Sequence, residues 1–471
     1  MCTDKDRPPC EHDDLIGKVD RLQGQVARLT TTIKELRKQL AAAQRAGKRQ
    51  AAPFSKGERV SKPRRPGRKP GTGNFSYRKP PAVDELTAPP VDVAVSAESC
   101  PGCGGILEHE GESLAYVTDI PPMPRPQVTE YRVQVCRCVS CGRRVRGRHR
   151  DVGPDQYGAS AHRVGRRVMA AAHMLHYGVG IPVRRVPVVL RALTGVELSQ
   201  SAITQDALRR ARGAVGDAYQ RLRESVRESA VVHTDDTGWR VGGEGAFLMA
   251  FETDDATVYQ VRGRHRNEEV REVVPGDYAG VMVTDRARSY DARALSGVRQ
   301  QKCLAHVLRS ISEVVQTKVG RGRSFGKRLS ELLREAMELR ESERRGEMAD
   351  YAGEKERLRR EVSHHLRDRP MPDRDNLRLQ NELGWQDDRG NLLRFLDGAG
   401  IEPTNNRAER ALRGAVIARK VSHCSRNEAG ADAFSAFTSV IRTLYRNGGG
   451  QPVVDGLCGV FSAEPVHARS I

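Results

Sequence analysis

The stretch from Ala230 to Arg240 reads Ala-Val-Val-His-Thr-Asp-Asp-Thr-Gly-Trp-Arg. Its β-branched run, Val231-Val232, predicts a strand. The strand leads into two adjacent carboxylates, Asp235 and Asp236, and then into a turn-like Thr-Gly pair. A strand that ends in an acid brings that acid to the edge of a sheet, where oxygen ligands can bind a divalent metal ion. A turn residue or a helix cap is the alternative role for such an Asp.

A second acid follows another predicted strand. The segment 247–261 contains two strand-like runs separated by a turn, so with Val231-Val232 it predicts an antiparallel meander. A helical segment over 267–273 then leads to the apolar run 280–284, which ends in Asp285. Three strands, a helix and a fourth strand, with an acid after the first and the fourth, is the order of a ribonuclease-H-like α/β core. This order would bring Asp235 and Asp285 side by side.

A third acid, Glu409, lies in a basic helical segment. A helix that starts at Asn405 or Asn406 places Glu409 in its first turn. Asn406 and Glu409 also have capping-box spacing, so the alternative is that Glu409 bonds to its own helix start. A helix cap does not require basic residues around it. A metal-binding acid requires them if it lies beside a basic surface that binds the phosphates of DNA, which we call the phosphate track. The predicted DNA-contacting residues here are Arg407, Arg410, Arg413, Arg419 and Lys420.

The region between the second and the third acid is long and highly charged. We predict a helical insertion at about 315–395, with a helical hairpin over 324–369. Trp385 is predicted to anchor the chain where it returns from the hairpin. A helix before the insertion carries Cys303 and His306 on adjacent turns. His306 is a candidate to approach phosphate, although a core or capping histidine is the commoner outcome.

The charge balance points to a polyanionic partner. The 471 residues include 79 Lys and Arg against 60 Asp and Glu, which gives a formal net charge of +19. Double-stranded DNA is the partner that we expect, and a merely soluble basic protein is the alternative. The N-terminal residues are polar, and no stretch approaches the roughly 18 apolar residues of a membrane span. We therefore expect a cytoplasmic, nucleoid-associated protein with no membrane partner.

The N-terminal segment has a heptad pattern. Apolar residues alternate spacings of four and three from Leu15 to Leu40 and predict a coiled-coil dimerisation helix over 13–44. β-branched residues at a with Leu at d favour a parallel two-stranded coil, and hence a homodimer. The alternative is an amphipathic helix packed on its own domain. The seam residues are Leu15, Val19, Leu22, Val26, Leu29, Ile33 and Leu36.

A basic flexible linker is predicted over 45–95, because much of this segment is rich in Arg, Lys, Pro and Gly and lacks an apolar period. Its most basic part resembles an arm that reads the minor groove of DNA. A solvated charge run is the competing interpretation. The candidate DNA contacts of the arm are Arg64, Arg65, Arg68 and Lys69.

Two Cys-x-x-Cys-Gly motifs define a zinc-binding, DNA-binding domain over 96–150. Two such knuckles bring four thiolates to one tetrahedral structural Zn²⁺, a pattern that suits a reducing compartment better than disulfides do. The predicted ligands are Cys100, Cys103, Cys138 and Cys141, with Cys136 as an alternative to Cys138. The basic run that follows predicts a DNA-facing edge at Arg143, Arg144 and Arg146.

A helical domain is predicted over 155–228, followed by a catalytic domain over 229–447 and a C-terminal tail over 448–471. Short, closely linked helices permit a helix-turn-helix, and a plain helical scaffold is the alternative. Ser199 and Ser201 are both reasonable N-caps for its third helix. Candidates to face the major groove are Gln200, Ser201, Thr204, Gln205 and Arg209.

These motifs together resemble the transposases of the insertion sequence 66 family, which are DDE-type enzymes. The matching features are the heptad segment, the first cysteine knuckle and the segments 233–240, 283–290, 303–306 and 405–413. The resemblance implies that Asp235, Asp285 and Glu409 are catalytic acids that bind Mg²⁺ or Mn²⁺. It also implies that the DNA partners are element ends and target, with accessory proteins of the same element as further partners. The family usually carries Glu at the position of Asp236.

Two other functions are weighed against a transposase. One is a metal-dependent nuclease or integrase of the same fold, which cuts DNA without joining ends. The other is a non-catalytic DNA-binding regulator, whose acids serve only the structure.

Overall fold

The structure is a computed structural model of the chain. It describes residues 19, 22–26, 29–33, 36, 39, 79–118, 126–149, 151–152, 162–368, 370–422, 424–447 and 453–462. The chain divides into two compact units, Met1–Thr118 and Asp119–Ile471. None of the helices in the described residues is long and apolar enough to cross a membrane.

In the first unit, the residues described between 19 and 39 are helical. Their seam side chains are exposed in the single chain, from 49% to 62%, at Val19, Leu22, Val26, Leu29, Ile33 and Leu36. Leu15 and much of the predicted coil lie outside the described residues, so the coil stays a prediction. Residues 79–118 contain a 3₁₀ turn, Val83–Glu85, and otherwise irregular backbone. The predicted arm with Arg64, Arg65, Arg68 and Lys69 also lies outside the described residues.

The second unit begins with a two-stranded antiparallel hairpin and a group of helices. The hairpin consists of β1 (Val135–Arg137) and β2 (Arg144–Arg146). A π-helical turn, Met174–Gly178, follows the first helix. The helices are α1 (Arg166–His173), α2 (Val186–Thr194), α3 (Gln200–Ala211) and α4 (Ala214–Glu228).

A five-stranded sheet forms the centre of this unit. Its strands are β3 (Val231–Val241), β4 (Glu244–Glu252), β5 (Thr257–Arg262), β6 (Val281–Thr284) and β7 (Arg299–Lys302), in the spatial order β5-β4-β3-β6-β7. β3, β4 and β5 pair antiparallel, whereas β3, β6 and β7 pair parallel. A short helix, α5 (Asn267–Arg271), precedes β6. The predicted order of three antiparallel strands, a helix and a fourth strand is confirmed.

Helices make up the rest of the unit. They are α6 (Leu304–Thr317), α7 (Gly320–Arg344), α8 (Tyr351–Arg367), α9 (Arg374–Asp388), α10 (Asn406–Ser422), α11 (Glu428–Asn447) and α12 (Val453–Ser462). One 3₁₀ turn, Arg293–Leu295, precedes β7, and another, Arg394–Asp397, follows α9.

The strand that carries the first acid is longer than the sequence predicted. β3 does not end at Asp235, because its antiparallel partner β4 pairs with it as far as Val241↔Glu244. The predicted Thr-Gly exit is therefore an internal part of the strand. The pairing that does end here is the parallel one with β6, whose last pair is Thr234↔Thr284.

One hydrophobic core joins the early helices to the sheet. Val215 and Val226 of α4 pack in the same cluster as Phe251 of β4. The predicted helical domain at 155–228 is therefore not an independent domain, because its apolar side is covered by the sheet. The predicted C-terminal tail is also wrong in part, since α12 places Leu457 and Phe461 in this core.

The other face of the parallel strands carries the insertion. Val281 and Val283 of β6 share a core with residues of α6 to α9. The predicted hairpin is present as α7 and α8, and α9 adds a third helix to it. Trp385 does not anchor the return, because its side chain is 37% exposed; Leu379 and Leu383 are buried instead.

A buried hydrogen bond between a histidine and a carboxylate ties the early helices together. His173 of α1 is fully buried, and its Nε2 lies 2.9 Å from Oδ2 of Asp206 in α3. Burial lowers the pKa of His173 below its ordinary 6.5, although Asp206 works against this shift. Burial acts to raise the pKa of Asp206, but the hydrogen bonds from His173 and Arg210 outweigh it and hold that pKa well below its usual range.

Both shifts make stability depend on pH in the same direction. The unfolded chain binds more protons than the folded chain below about pH 6.5, so the free energy of unfolding falls as the pH falls. One group gives a slope of at most about 1.4 kcal/mol per pH unit. Circular dichroism at pH 5.5 and pH 7.5 should show that His173→Gln has lost this contribution, as a reduction in the loss of melting temperature towards low pH relative to the parent. His364→Gln is the matched control, because His364 is exposed; an equal reduction in both variants would contradict the assignment.

Candidate active site

The parallel register places two acids at one edge of the sheet. β3 and β6 pair from Val231↔Val281 to Thr234↔Thr284. The next residue along each strand is an acid, Asp235 on β3 and Asp285 after β6. Side chains at corresponding positions of parallel strands point to the same face. The structure therefore brings these two acids together, as the sequence predicted.

The pleat of β3 separates Asp235 from its neighbour. Successive side chains of a strand point to opposite faces. Asp236 lies on the face of His265, whose Nδ1 is 2.9 Å from its Oδ1. Ala250, the cross-strand partner of Asp235, packs in the cluster that contains Leu412 of α10. Asp235 is therefore the acid that faces α10.

Glu409 reaches this edge because its helix is fixed to both strands. α10 begins at Asn406, so Glu409 lies in its first turn. The preceding Asn405 donates its side-chain amide to the carbonyl oxygen of Thr234 at 2.7 Å. Its backbone N–H donates to Sγ of Cys303 at 3.2 Å, and the N–H of Cys303 donates to the carbonyl oxygen of Thr284 at 2.8 Å. Asn405 thus connects the helix start directly to the end of β3 and, through Cys303, to the end of β6.

The capping-box alternative for Glu409 has no support in these contacts. The N–H of Asn405 is taken by Cys303, and among the described residues no hydrogen bond joins the Glu409 side chain to its own helix start; the Glu409 backbone N–H makes the ordinary helical bond to the Asn405 carbonyl at 3.2 Å. Its nearest charged neighbour is His306, whose Nε2 lies 3.8 Å from Oε1 of Glu409. Glu409 is thus available to a ligand at the sheet edge.

The electrostatics of the edge favour a cation. Burial raises the pKa of Asp235 to about 7; the N–H of Asp236 works against this, and the charges of Asp285 and Glu409 add to it. None of Asp235, Asp285 and Glu409 forms an ion pair with a Lys or Arg in the described part of the chain. Carboxylate oxygens with uncompensated negative charge are the donor set that Mg²⁺ and Mn²⁺ prefer.

The acids do not form a finished metal-binding cluster. Across the described ranges, no three His, Cys, Asp or Glu side chains lie close enough to hold a metal ion. Mg²⁺ takes few protein carboxylates and keeps water and phosphate oxygens as its other ligands. The donor set therefore fits Mg²⁺ or Mn²⁺, and binding of the ion stays a prediction.

Cys303 and His306 lie three residues apart at the start of α6, beside the third acid. Burial acts to raise the pKa of the Cys303 thiol, but hydrogen bonds from His306 and from the Asn405 N–H lower it below its usual value. The same hydrogen bond with Cys303 raises the pKa of His306.

A buried lysine lies behind the second acid, and no pattern in the sequence predicts it. Lys302 is fully buried, and its Nζ lies 2.9 Å from Oδ1 of Asp291. It also donates to Gln300 Oε1 at 2.9 Å and to Thr284 Oγ1 at 3.2 Å. Gln386 of α9 donates to Asp291 at 3.1 Å. This network connects β6, β7 and the insertion directly before Asp285.

Only part of the predicted phosphate track on α10 is free. Arg407 is paired with Asp254 at 2.7 Å, and Arg419 donates to Thr237 Oγ1 at 2.9 Å. The prediction that these two contact DNA is therefore not supported, because both guanidinium groups hold α10 to the sheet. The exposed basic residues of the track are Arg410, Arg413 and Lys420.

The two cysteine knuckles have the same local geometry. The N–H of Cys100 donates to the Gly105 carbonyl at 2.9 Å and the Gly104 N–H donates back to Cys100 at 2.8 Å. Cys138 makes the corresponding bonds, with Arg143 at 2.8 Å and with Gly142 at 2.9 Å. Gly104 and Gly142 have φ of 75° and 69°, which only glycine adopts readily.

The local geometry distinguishes the two candidate cysteines of the second knuckle. Cys136 pairs with Val145 within the β1–β2 ladder and takes no part in the turn, whereas Cys138 occupies the position that Cys100 has in the first knuckle. Backbone N–H groups lower the pKa of Cys100 and of Cys138. The basic residues beside this turn, Arg143, Arg144 and Arg146, are exposed.

The helix predicted to read the major groove is α3. Ser199 is its N-cap, and its Oγ accepts from the N–H of Ala202 at 3.1 Å. The side chains proposed to face DNA are all exposed, namely Gln200, Ser201, Thr204, Gln205 and Arg209. Arg209 also bonds to Asp206. Exposure permits DNA contact and equally permits a scaffold, so both interpretations stay open.

A mixed α/β unit with a central sheet, many helices and acids at one sheet edge is compatible with a DDE-type domain. Comparison with known protein families matches residues 162–433 to the Transposase IS66 family. The match covers more than half of the chain. The chain belongs to this family. No curated protein matches the chain in a direct comparison.

Proposed function

We propose that the chain is a DNA transposase that binds the ends of a mobile element and catalyses metal-dependent strand cleavage and strand transfer. In this proposal residues 229–447 form a ribonuclease-H-like domain whose catalytic acids are Asp235, Asp285 and Glu409. The observation that carries the proposal is the register of β3 and β6, which sets Asp235 and Asp285 side by side. The attachment of Asn405 to Thr234 supports the placement of Glu409.

The acids would act as oxygen ligands. When bound, two Mg²⁺ or Mn²⁺ ions supply activation of the attacking oxygen and stabilisation of the leaving oxygen in an in-line displacement. In cleavage, water oxygen attacks the phosphorus and the 3′ oxygen leaves with a proton. In strand transfer, that 3′-hydroxyl loses its proton and attacks a phosphodiester of the target, and the target's own 3′ oxygen leaves with a proton. Neither step requires a covalent bond between DNA and the protein.

Exposed basic residues would hold the DNA at the acids. Arg413 lies four residues after Glu409 on α10 and so shares its side of the helix, and Arg410 lies one turn before Arg413 on a neighbouring side. Arg143, Arg144 and Arg146 on the hairpin and the basic arm would add sequence-independent phosphate contacts. Such contacts make affinity fall with salt.

The experiment that tests the function uses purified full-length protein with Mg²⁺ and labelled DNA carrying the ends of the element that encodes it. Cleavage at the ends and joined products are the expected result. Cleavage without joining would favour a nuclease or integrase of the same fold. Binding without cleavage, by the parent and by Asp235→Asn alike, would favour a non-catalytic regulator.

We also propose a structural Zn²⁺ bound by Cys100, Cys103, Cys138 and Cys141. The N–H groups that converge on the thiols of each knuckle favour the thiolate form, which is the form that binds zinc. We expect elemental analysis to find about one zinc per chain.

A matched pair of variants tests the ligand assignment. Cys138→Ser should lose most of the zinc, whereas Cys136→Ser should keep it, because only Cys138 occupies the knuckle turn. Zinc retained by Cys138→Ser and lost by Cys136→Ser would reverse the assignment.

A homodimer through the N-terminal coil completes the proposal. The exposed apolar seam from Val19 to Leu36 supports it, since such a seam is stable in water when a second helix covers it. A transposase with two element ends to hold also benefits from two copies. Accessory proteins of the same element are further proposed partners.

A further inference from the structure

A cavity of about 530 Å³ opens beside β7, and none of the proposed catalytic acids is among its lining residues. One wall is the segment 290–300, and the other consists of residues at the end of α9 and after it. This volume is within the range of about 300–1,000 Å³ typical of small-ligand sites. It is large enough to accept one nucleotide.

The charge of the cavity is strongly positive. Its lining includes four arginines, Arg293, Arg299, Arg389 and Arg394. Within the part of the chain that the structure describes, none of the four has an acid as an ion-pair partner. The one acid of the lining, Asp291, is already paired with Lys302 at 2.9 Å. Unpaired guanidinium groups around one cavity are typical of a phosphate-binding site.

Some of these guanidinium groups are held in place by the backbone. Arg394 donates from Nε to the Gln300 carbonyl at 3.0 Å and from a terminal nitrogen to the Arg389 carbonyl at 2.8 Å. Arg299 donates to the carbonyl of Ala279. A guanidinium group has five N–H donors, so most remain available for an anion. Pre-placed donors lose less side-chain entropy on binding.

The cavity also contains an exposed tryptophan. Trp385 is 37% exposed, and the guanidinium carbon of Arg389 lies 3.7 Å from the centroid of its ring. The other tryptophan of the chain, Trp239, is 3% exposed in the core. An exposed indole beside arginines is the combination that stacks on a base while the arginines bind its phosphate.

We propose that this cavity binds one unpaired nucleotide of single-stranded DNA, with the base stacked on Trp385 in place of the Arg389 guanidinium and the phosphate bound by Arg299 and Arg394. The nucleotide must be unpaired, because a base within a duplex has no free face to stack on a side chain. The inference rests on the proposed function for the nature of the ligand, but it uses none of the catalytic acids. The site would hold a strand that has left the duplex while its end is processed.

The two tryptophans allow a direct optical test. In Trp239→Phe protein, Trp385 is the only tryptophan, so its fluorescence reports on the cavity. We expect oligothymidylate to quench this fluorescence in a saturable manner. An abasic strand of the same length carries the same phosphates without bases and should bind without quenching. Equal quenching by both strands would overturn the stacking.

Variants then locate the binding. Anisotropy of a labelled oligothymidylate should show about tenfold weaker binding by Trp385→Leu, with little change for the abasic strand. Trp385→Phe keeps a ring and should retain most of the affinity. Arg293→Ala should weaken both strands, because it removes charge from the cavity. Arg360→Ala is the matched control, because Arg360 is exposed on α8 and does not line the cavity.

Circular dichroism melts show whether each variant is folded, and if Trp385→Leu is unfolded, the comparison of quenching by oligothymidylate and by the abasic strand decides whether a base stacks on Trp385. Parental affinity in folded Trp385→Leu overturns the inference, even if the same protein cleaves element ends. If quenching and loss of affinity are both found as expected but the parental protein cleaves no DNA, the results support nucleotide binding in the cavity and contradict the proposed transposase activity.

Discussion

Asp235→Asn is expected to lower strand cleavage and strand transfer by roughly 10³-fold or more, while the affinity for element ends stays close to the parental value. The proposed catalytic acids act as a unit, so the loss of one removes nearly all the rate. The substitution keeps the shape of the side chain and removes the charge that would bind the metal ion. Rates with Mg²⁺ and binding without it, measured on the same labelled DNA, give the two quantities.

The same variant should not be destabilised. Burial raises the pKa of Asp235 to about 7, which means that the folded chain holds this carboxylate at a cost. A neutral amide avoids that cost at pH 8. We therefore expect a melting temperature equal to or above that of the parent without metal, and this separates lost chemistry from lost folding.

Asp236→Asn is the matched control. Asp236 lies on the opposite face of β3 and is paired with His265 at 2.9 Å, so its loss should lower the rate far less. An inactive Asp236→Asn beside an active Asp235→Asn would show that the wrong acid had been assigned to the site.

The first part of the site was predictable because its signals are local. A β-branched run followed by an acid, repeated at Asp235 and Asp285, is visible in the sequence, and the parallel register then aligns the two. The length of β3 was not predictable, since its second half is extended by pairing with β4. The choice of Asp235 over Asp236 came from the family resemblance, and the pleat of β3 and the position of α10 agree with it.

The remaining features depend on contacts between distant parts of the chain. The hydrogen bond from Asn405 to Thr234 spans 171 residues. A basic run also does not show which arginines are free. Arg407 bonds to the β4–β5 turn across 153 residues, whereas Arg410 is exposed. The sequence predicted a phosphate track, but only packing decides which of its members can reach phosphate.

Lys302→Ala is expected to destabilise the chain by about 3–5 kcal/mol, the range for removing one partner of a buried ion pair. The substitution deletes a fully buried side chain and leaves Asp291 without its cation. It also leaves Thr284 Oγ1 and Gln300 Oε1 without the donor that Nζ supplies. Urea unfolding followed by circular dichroism measures the change.

Lys318→Ala provides the contrast, because Lys318 pairs at the surface with Asp375 at 2.7 Å. A surface pair contributes about 0–1 kcal/mol.

A second comparison uses Lys302→Met with Asp291→Asn, which removes both charges and should recover part of the lost stability. If Lys302→Ala cost no more than Lys318→Ala, the buried pair would not be what holds α9 to β7. The network ends at Thr284, directly before Asp285, so Lys302→Met should also slow cleavage under conditions where it is fully folded.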